Sequence, residues 1–129
     1  MPITVQTIIA VALAGAFGTL LRFGIGSWVQ RLSSPGFPWG TLTVNVAGCF
    51  LAGLIVTWIG TRSNIDPTLR IAVLIGFLGA FTTFSTFIME ASELVRTTSL
   101  IYAGVYVILQ NGVGLLALGG GVWIARTIS

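Results

Sequence analysis

Residues 40–60 read GTLTVNVAGCFLAGLIVTWIG, a run without a charged side chain. It is long enough to cross the roughly 30 Å hydrocarbon core of a bilayer as a helix of about 20 residues. Segments of similar character cover about residues 5–30, 69–95 and 99–126, with only an occasional charge in each. In lipid the backbone must satisfy its own hydrogen bonds, so such runs are helices. A water-soluble four-helix bundle would need a polar stripe on every segment, and none is present. Composition agrees, because only 7% of residues are charged, against roughly 25% in an ordinary soluble domain. The fold class expected is an all-α integral membrane protein, one four-helix transmembrane domain over residues 1–129.

Each connection carries turn chemistry. Residues 31–40, RLSSPGFPWG, hold two prolines and two glycines. In residues 61–70, TRSNIDPTLR, Asp66 is placed as an N-cap with Pro67 at the first helical position. Ser99 is placed to cap the last helix. The first charge is Arg22, so the N-terminal run lacks the basic region of a secretory signal and reads as a retained first helix.

Several chemistries are excluded or disfavoured. The chain has no histidine, and its single Cys49 lies mid-helix, so a Cys/His metal cluster or an intrachain disulfide cannot be built. Cys49 reads as a small packing residue. The carboxylates are Asp66, Glu90 and Glu93, the last two read as interfacial and wetted rather than as an acid and base pair. The chain is therefore not expected to be an enzyme. Its net charge of +3 comes from scattered arginines, which indicates no nucleic-acid partner.

Arginine placement bears on orientation. Arg62, Arg70 and Arg126 fall on one side, and Arg31 and Arg96 on the other, with Arg22 embedded nearer the second. Positive charge near helix ends normally fixes which side is cytoplasmic, and here it nearly cancels. Both insertions are then open, and two oppositely inserted copies can pair about a two-fold axis in the membrane plane. Four helices are also few to enclose a pathway, so an antiparallel dual-topology homodimer is expected. Glycines at 15, 18, 48 and 119–121 suit close helix packing.

Polar residues at membrane depth are few. Thr41, Asn45, Gly48, Cys49 and Ala52 share one helix face, and Tyr102, Tyr106, Gln110 and Gly114 form an i, i+4 row on the last helix. Asn45 and Gln110 serve either as interhelical glue or as pathway lining. Arg22 is expected to snorkel outward from its helix end. Residues 76–87, GFLGAFTTFSTF, pack hydroxyls among phenylalanines and glycines. Gly76 and Gly79 weaken the helix before Thr82, Thr83, Ser85 and Thr86, so a break is expected near residues 79–83. Freed carbonyls there suit a hard cation, while freed N–H groups, hydroxyls and the positive edges of Phe rings suit a small anion. Phe77 reads as packing.

The motifs at 40–48 and 76–87, the embedded Arg22 and the four-helix length together resemble the Fluc (CrcB) fluoride channels of bacteria and other microbes. The resemblance implies an antiparallel homodimer with two fluoride pores and a structural, non-transported Na+ at the dimer interface, in the cell (inner) membrane. Carried over by motif, Asn45 would be the pore asparagine and Phe84 and Phe87 a pair of rings beside the ion path. Arg22 matches a first-helix arginine, and Thr41 a polar vestibule position. Ser85 and Thr86 supply nearby hydroxyls, Tyr106 and Gln110 are the pore candidates of the last helix, and the Gly79 and Thr82 carbonyls would be the Na+ ligands. The activity implied is passive efflux of fluoride from the cytoplasm, protecting the cell from its toxicity. The rival readings are a small dual-topology proton-coupled multidrug exporter, which would want a carboxylate deep in the first helix where this chain has none, and a non-transporting scaffold.

Overall fold

The computed structural model describes residues 3–128. Helix α1 is Val5–Leu32, α2 is Trp39–Gly60 and α6 is Leu100–Thr127. The third span, Pro67–Thr97, is composite. It runs through α3 (Pro67–Ile71), a π-helix (Ala72–Leu78), a short α4 (Gly79–Phe81) and, after an interruption, α5 (Phe84–Thr97). All four spans are long and apolar enough to cross a membrane, as a multi-pass membrane protein requires.

The helix starts follow the side chains. The Asp66 carboxylate accepts from Leu69 N–H with Pro67 in the first turn, and Ser99 Oγ accepts from Tyr102 N–H at 3.2 Å. Thr4 does the same for α1 through Thr7 N–H. In the 33–38 turn Gly36 has φ of 95°, a left-handed backbone that only glycine adopts without strain.

Close backbone contacts at glycine hold the bundle, including Gly26 of α1 against Gly40 of α2, and most of them lie along two seams. Along α2 and α6, which run parallel, a Cβ added to Gly53 would run into the Leu118 carbonyl, and one added to Gly121 into the Phe50 carbonyl. Along α1 and the π-helix, Gly18 faces the Phe77 carbonyl and Gly76 the Val11 carbonyl with as little room. Lipid tails are as apolar as leucine, so burial gives little drive to associate, and backbone contact of this kind supplies the attraction instead. The chain thus crosses in an up-down-up-down order. The 33–38 turn and the α5–α6 turn lie at one end, and the 61–66 turn at the other.

Few side chains are fully enclosed: Tyr106, Phe81 and Val44 are the largest. Most apolar residues face outward, as they do in a bilayer. Trp58 and Trp123 sit toward one end and Trp28 and Trp39 toward the other, at the levels where amphipathic rings prefer the membrane interface. The Arg62 guanidinium lies 4.1 Å from the Trp58 ring centre, a cation–π contact at that boundary.

Candidate functional site: a helix break and the polar row behind it

The third span breaks at two residues. Thr82 (φ −90°, ψ 161°) and Thr83 (φ −151°, ψ 114°) are extended, and α5 restarts with Thr83 Oγ1 accepting from Thr86 N–H. Extended backbone at membrane depth needs partners from elsewhere. Asn45 supplies them: its Oδ1 accepts from Thr83 N–H at 2.8 Å and its Nδ2 donates to the Thr83 carbonyl at 3.0 Å. One side-chain amide thus pairs both backbone groups of one residue, as a neighbouring strand would.

These bonds account for two of the carbonyls that the break releases. In an unbroken helix Gly79 C=O would accept from Thr83 N–H, which goes to Asn45, and Thr82 C=O would accept from Thr86 N–H, which goes to Thr83 Oγ1. Both are hard oxygen donors of the kind Na+ takes, and Gly79 is exposed with open space where a Cβ would be. By donor type these two oxygens fit such an ion. Between them the Ala80 carbonyl accepts from Arg22 Nε at 3.0 Å. The snorkelling expected of Arg22 is corrected here: its side chain turns inward because a freed carbonyl at depth is a better partner than a distant headgroup.

From Asn45 a row of side chains continues toward the 33–38 end. Asn45 Nδ2 donates to Gln110 Oε1 at 3.2 Å, Gln110 Nε2 donates to the Tyr106 hydroxyl at 3.0 Å, and Tyr106 donates to Glu90 Oε2 at 2.7 Å. Thr41 donates to the other Glu90 oxygen at 2.8 Å. Glu90, read from its position near the helix end as an interfacial carboxylate, accepts two side-chain hydrogen bonds from other helices. It is half-buried and is the acceptor on which the row ends. The spacing Thr83, Thr86, Glu90 puts all three on one face of α5, and that is the signal in the sequence that could have found it.

The aromatic rings of Phe84 and Phe87 lie beside this row and meet their neighbours edge to face. Phe87 is buried and meets Phe84 at 66° and Tyr106 at 70°, with centroids 5.7 and 5.3 Å apart. Phe84 is 74% exposed, so its outer face has no partner among the described residues. A cavity of about 320 Å³ is lined by Asn45, Thr83, Phe84, Phe87 and Gln110, and a second of about 530 Å³ by Arg22, Thr41, Thr83, Thr86 and Glu90. Thr83 lines both cavities, and Asn45 lines the first.

Of the residues the sequence pointed to, Asn45, Thr41, Phe84, Phe87, Thr86, Tyr106 and Gln110 come together here, and Arg22, Gly79 and Thr82 meet at the break. Ser85 is exposed and lines neither cavity, and Tyr102 stands at the start of α6, away from the row. Phe77 stacks between Phe17 and Phe81 at 5.8 and 5.7 Å, a packing position.

Comparison with known proteins decides the family. The model of the "CrcB-like protein, Camphor Resistance (CrcB)" family matches residues 9–122. The chain belongs to the CrcB family. A CrcB relative from Desulforapulum autotrophicum is 48% identical over 118 residues, covering 92% of this chain and 94% of the relative. One from Nitrosococcus oceani is 45% identical, covering 95% and 98%, and one from Rhizobium leguminosarum bv. trifolii is 41% identical, covering 92% and 95%. All three carry the name fluoride-specific ion channel FluC. In this CrcB protein the matched region takes in the whole break and the polar row.

Proposed function

We propose that the chain is a fluoride-specific ion channel that lets F− leave the cytoplasm passively. The observation that carries this reading is the meeting, at a break inside an apolar span, of amide and hydroxyl groups with the rings of Phe84 and Phe87 around one cavity. A small anion leaving water needs positively polarised partners on several sides, and ring edges and N–H groups are such partners without the cost of a buried full charge. The names of its relatives point the same way.

The working unit we infer is an antiparallel homodimer of dual topology in the cell inner membrane. The exposed outer face of Phe84 and the open space at Gly79 are where a second copy would sit, and the near-equal arginines at the two ends permit both insertions. Gly79 and Thr82 carbonyls from two chains would hold a structural Na+, which would tie the two breaks together by ionic attraction to four oxygens. Arg22 holds the intervening carbonyl back from that set.

Liposomes containing the purified protein test the reading. Fluoride efflux without proton coupling, lost on thorough Na+ removal, is the expected result; drug-stimulated proton movement would instead favour an exporter. C-terminal tags should be found on both sides of the membrane in one population of cells, and a one-sided C-terminus would sink dual topology.

A further inference from the structure

We infer that Gln110 is a built-in competitor of the anion, whose amide oxygen occupies a donor on Asn45 and must be displaced for the ion to bind there. This rests on the channel reading and names the residue that sets its affinity. The polarity of the row forces the assignment. Tyr106 spends its single proton on Glu90, so toward Gln110 its oxygen can only accept. Gln110 must then turn its NH2 to Tyr106 and its carbonyl to Asn45.

The consequence falls on Asn45. Its two N–H bonds go to the Thr83 carbonyl and to Gln110 Oε1, and its own oxygen is taken by Thr83 N–H. Asn45 therefore has no unused donor. An anion arriving in the cavity beside Asn45, Phe84 and Phe87 can take one only by breaking an existing bond. The bonds to Thr83 hold the break in shape and measure 2.8 and 3.0 Å, whereas the link to Gln110 is the longest of the three at 3.2 Å and fixes no backbone. Gln110 is the partner that yields. Although Gln110 is buried, a tilt of its planar amide about the Nε2–Tyr106 bond moves the carbonyl off Nδ2 toward the adjoining cavity, and a fluoride ion, a stronger acceptor than an amide oxygen, replaces it there.

The test compares half-saturating fluoride concentration, read from concentration-dependent flux in liposomes, for the unmodified protein and for Gln110→Ala. Removing the competitor should lower that concentration about five-fold, the factor equivalent to one ordinary net hydrogen bond. Gln110→Met keeps length and volume while removing both polar groups, and should give the same shift if the alanine variant fails to elute as the unmodified protein does. Gln110→Glu, a stronger competitor, should raise the concentration instead. A packing role for Gln110 would change stability and leave the half-saturating concentration alone, so an unchanged value in a variant that elutes normally overturns the inference. A raised value in the Ala and Met variants also overturns it, since Gln110 would then be a ligand of the ion. If the unmodified protein passes no fluoride, the channel reading fails and takes this inference with it.

Discussion

The α2–α6 seam and the break in the third span are held by opposite means. Along the seam, Gly53 and Gly121 bring backbone against backbone, and the contact depends on side chains being absent. At the break, Asn45 and Arg22 reach across from other helices and the contact depends on side chains being present. Function in a small membrane protein can reside in only one of these two kinds of contact. Close glycine packing is insensitive to what passes by, because nothing in it can exchange partners. A side-chain hydrogen bond can be traded for a bond to an ion, so chemistry gathers where the backbone needs outside help.

The largest effects should separate the two regions outright. Asn45→Asp removes both N–H donors and sets a carboxylate against the Thr83 carbonyl and Gln110 Oε1, so fluoride flux in liposomes should fall about 100-fold or more. Phe84→Ile should lower flux to a similar degree while the protein elutes normally, since the exposed ring contributes its edge rather than core volume. Unchanged flux in either well-folded variant would reduce the break to structure alone. For Phe87 the same change costs stability as well, because that ring is buried against Tyr106.

The seam answers to a different measurement. Gly53→Leu or Gly121→Val should destabilise by about 3 kcal/mol, read as aggregation on size-exclusion chromatography in mild detergent, because backbone atoms occupy the space a side chain would need. A normally eluting Gly121→Val protein would remove the contrast between the regions. Phe77→Leu, which alters packing beside the break without touching its hydrogen bonds, should lower stability by about 1–2 kcal/mol and leave flux within about two-fold. The smallest effect should come from Gly79→Ala, which meets nothing within 4 Å in one chain and should change monomer stability by less than about 1 kcal/mol. Loss of self-association in that variant would point to a second copy packed at Gly79, since no described residue stands in the way.

Much of this was legible along the chain because it is local. Apolar runs of bilayer length give the spans, Asp66 and Ser99 announce helix starts by bonding to N–H groups three residues on, and glycines followed by hydroxyl residues mark the weak point near Gly79–Thr83. A pattern of residue types on one helix face is enough for each, since hydrogen bonds within a turn and the thickness of lipid are set by sequence spacing. Which residues meet across helices depends on the folded arrangement. Glu90 lies 49 residues from Thr41 and 16 from Tyr106, and Arg22 lies 58 from Ala80. No local rule links such pairs. Arg22 turns inward and Glu90 becomes the end of a polar row because folding brings unsatisfied groups together where water is absent, and there any available partner outweighs the preference a residue shows alone.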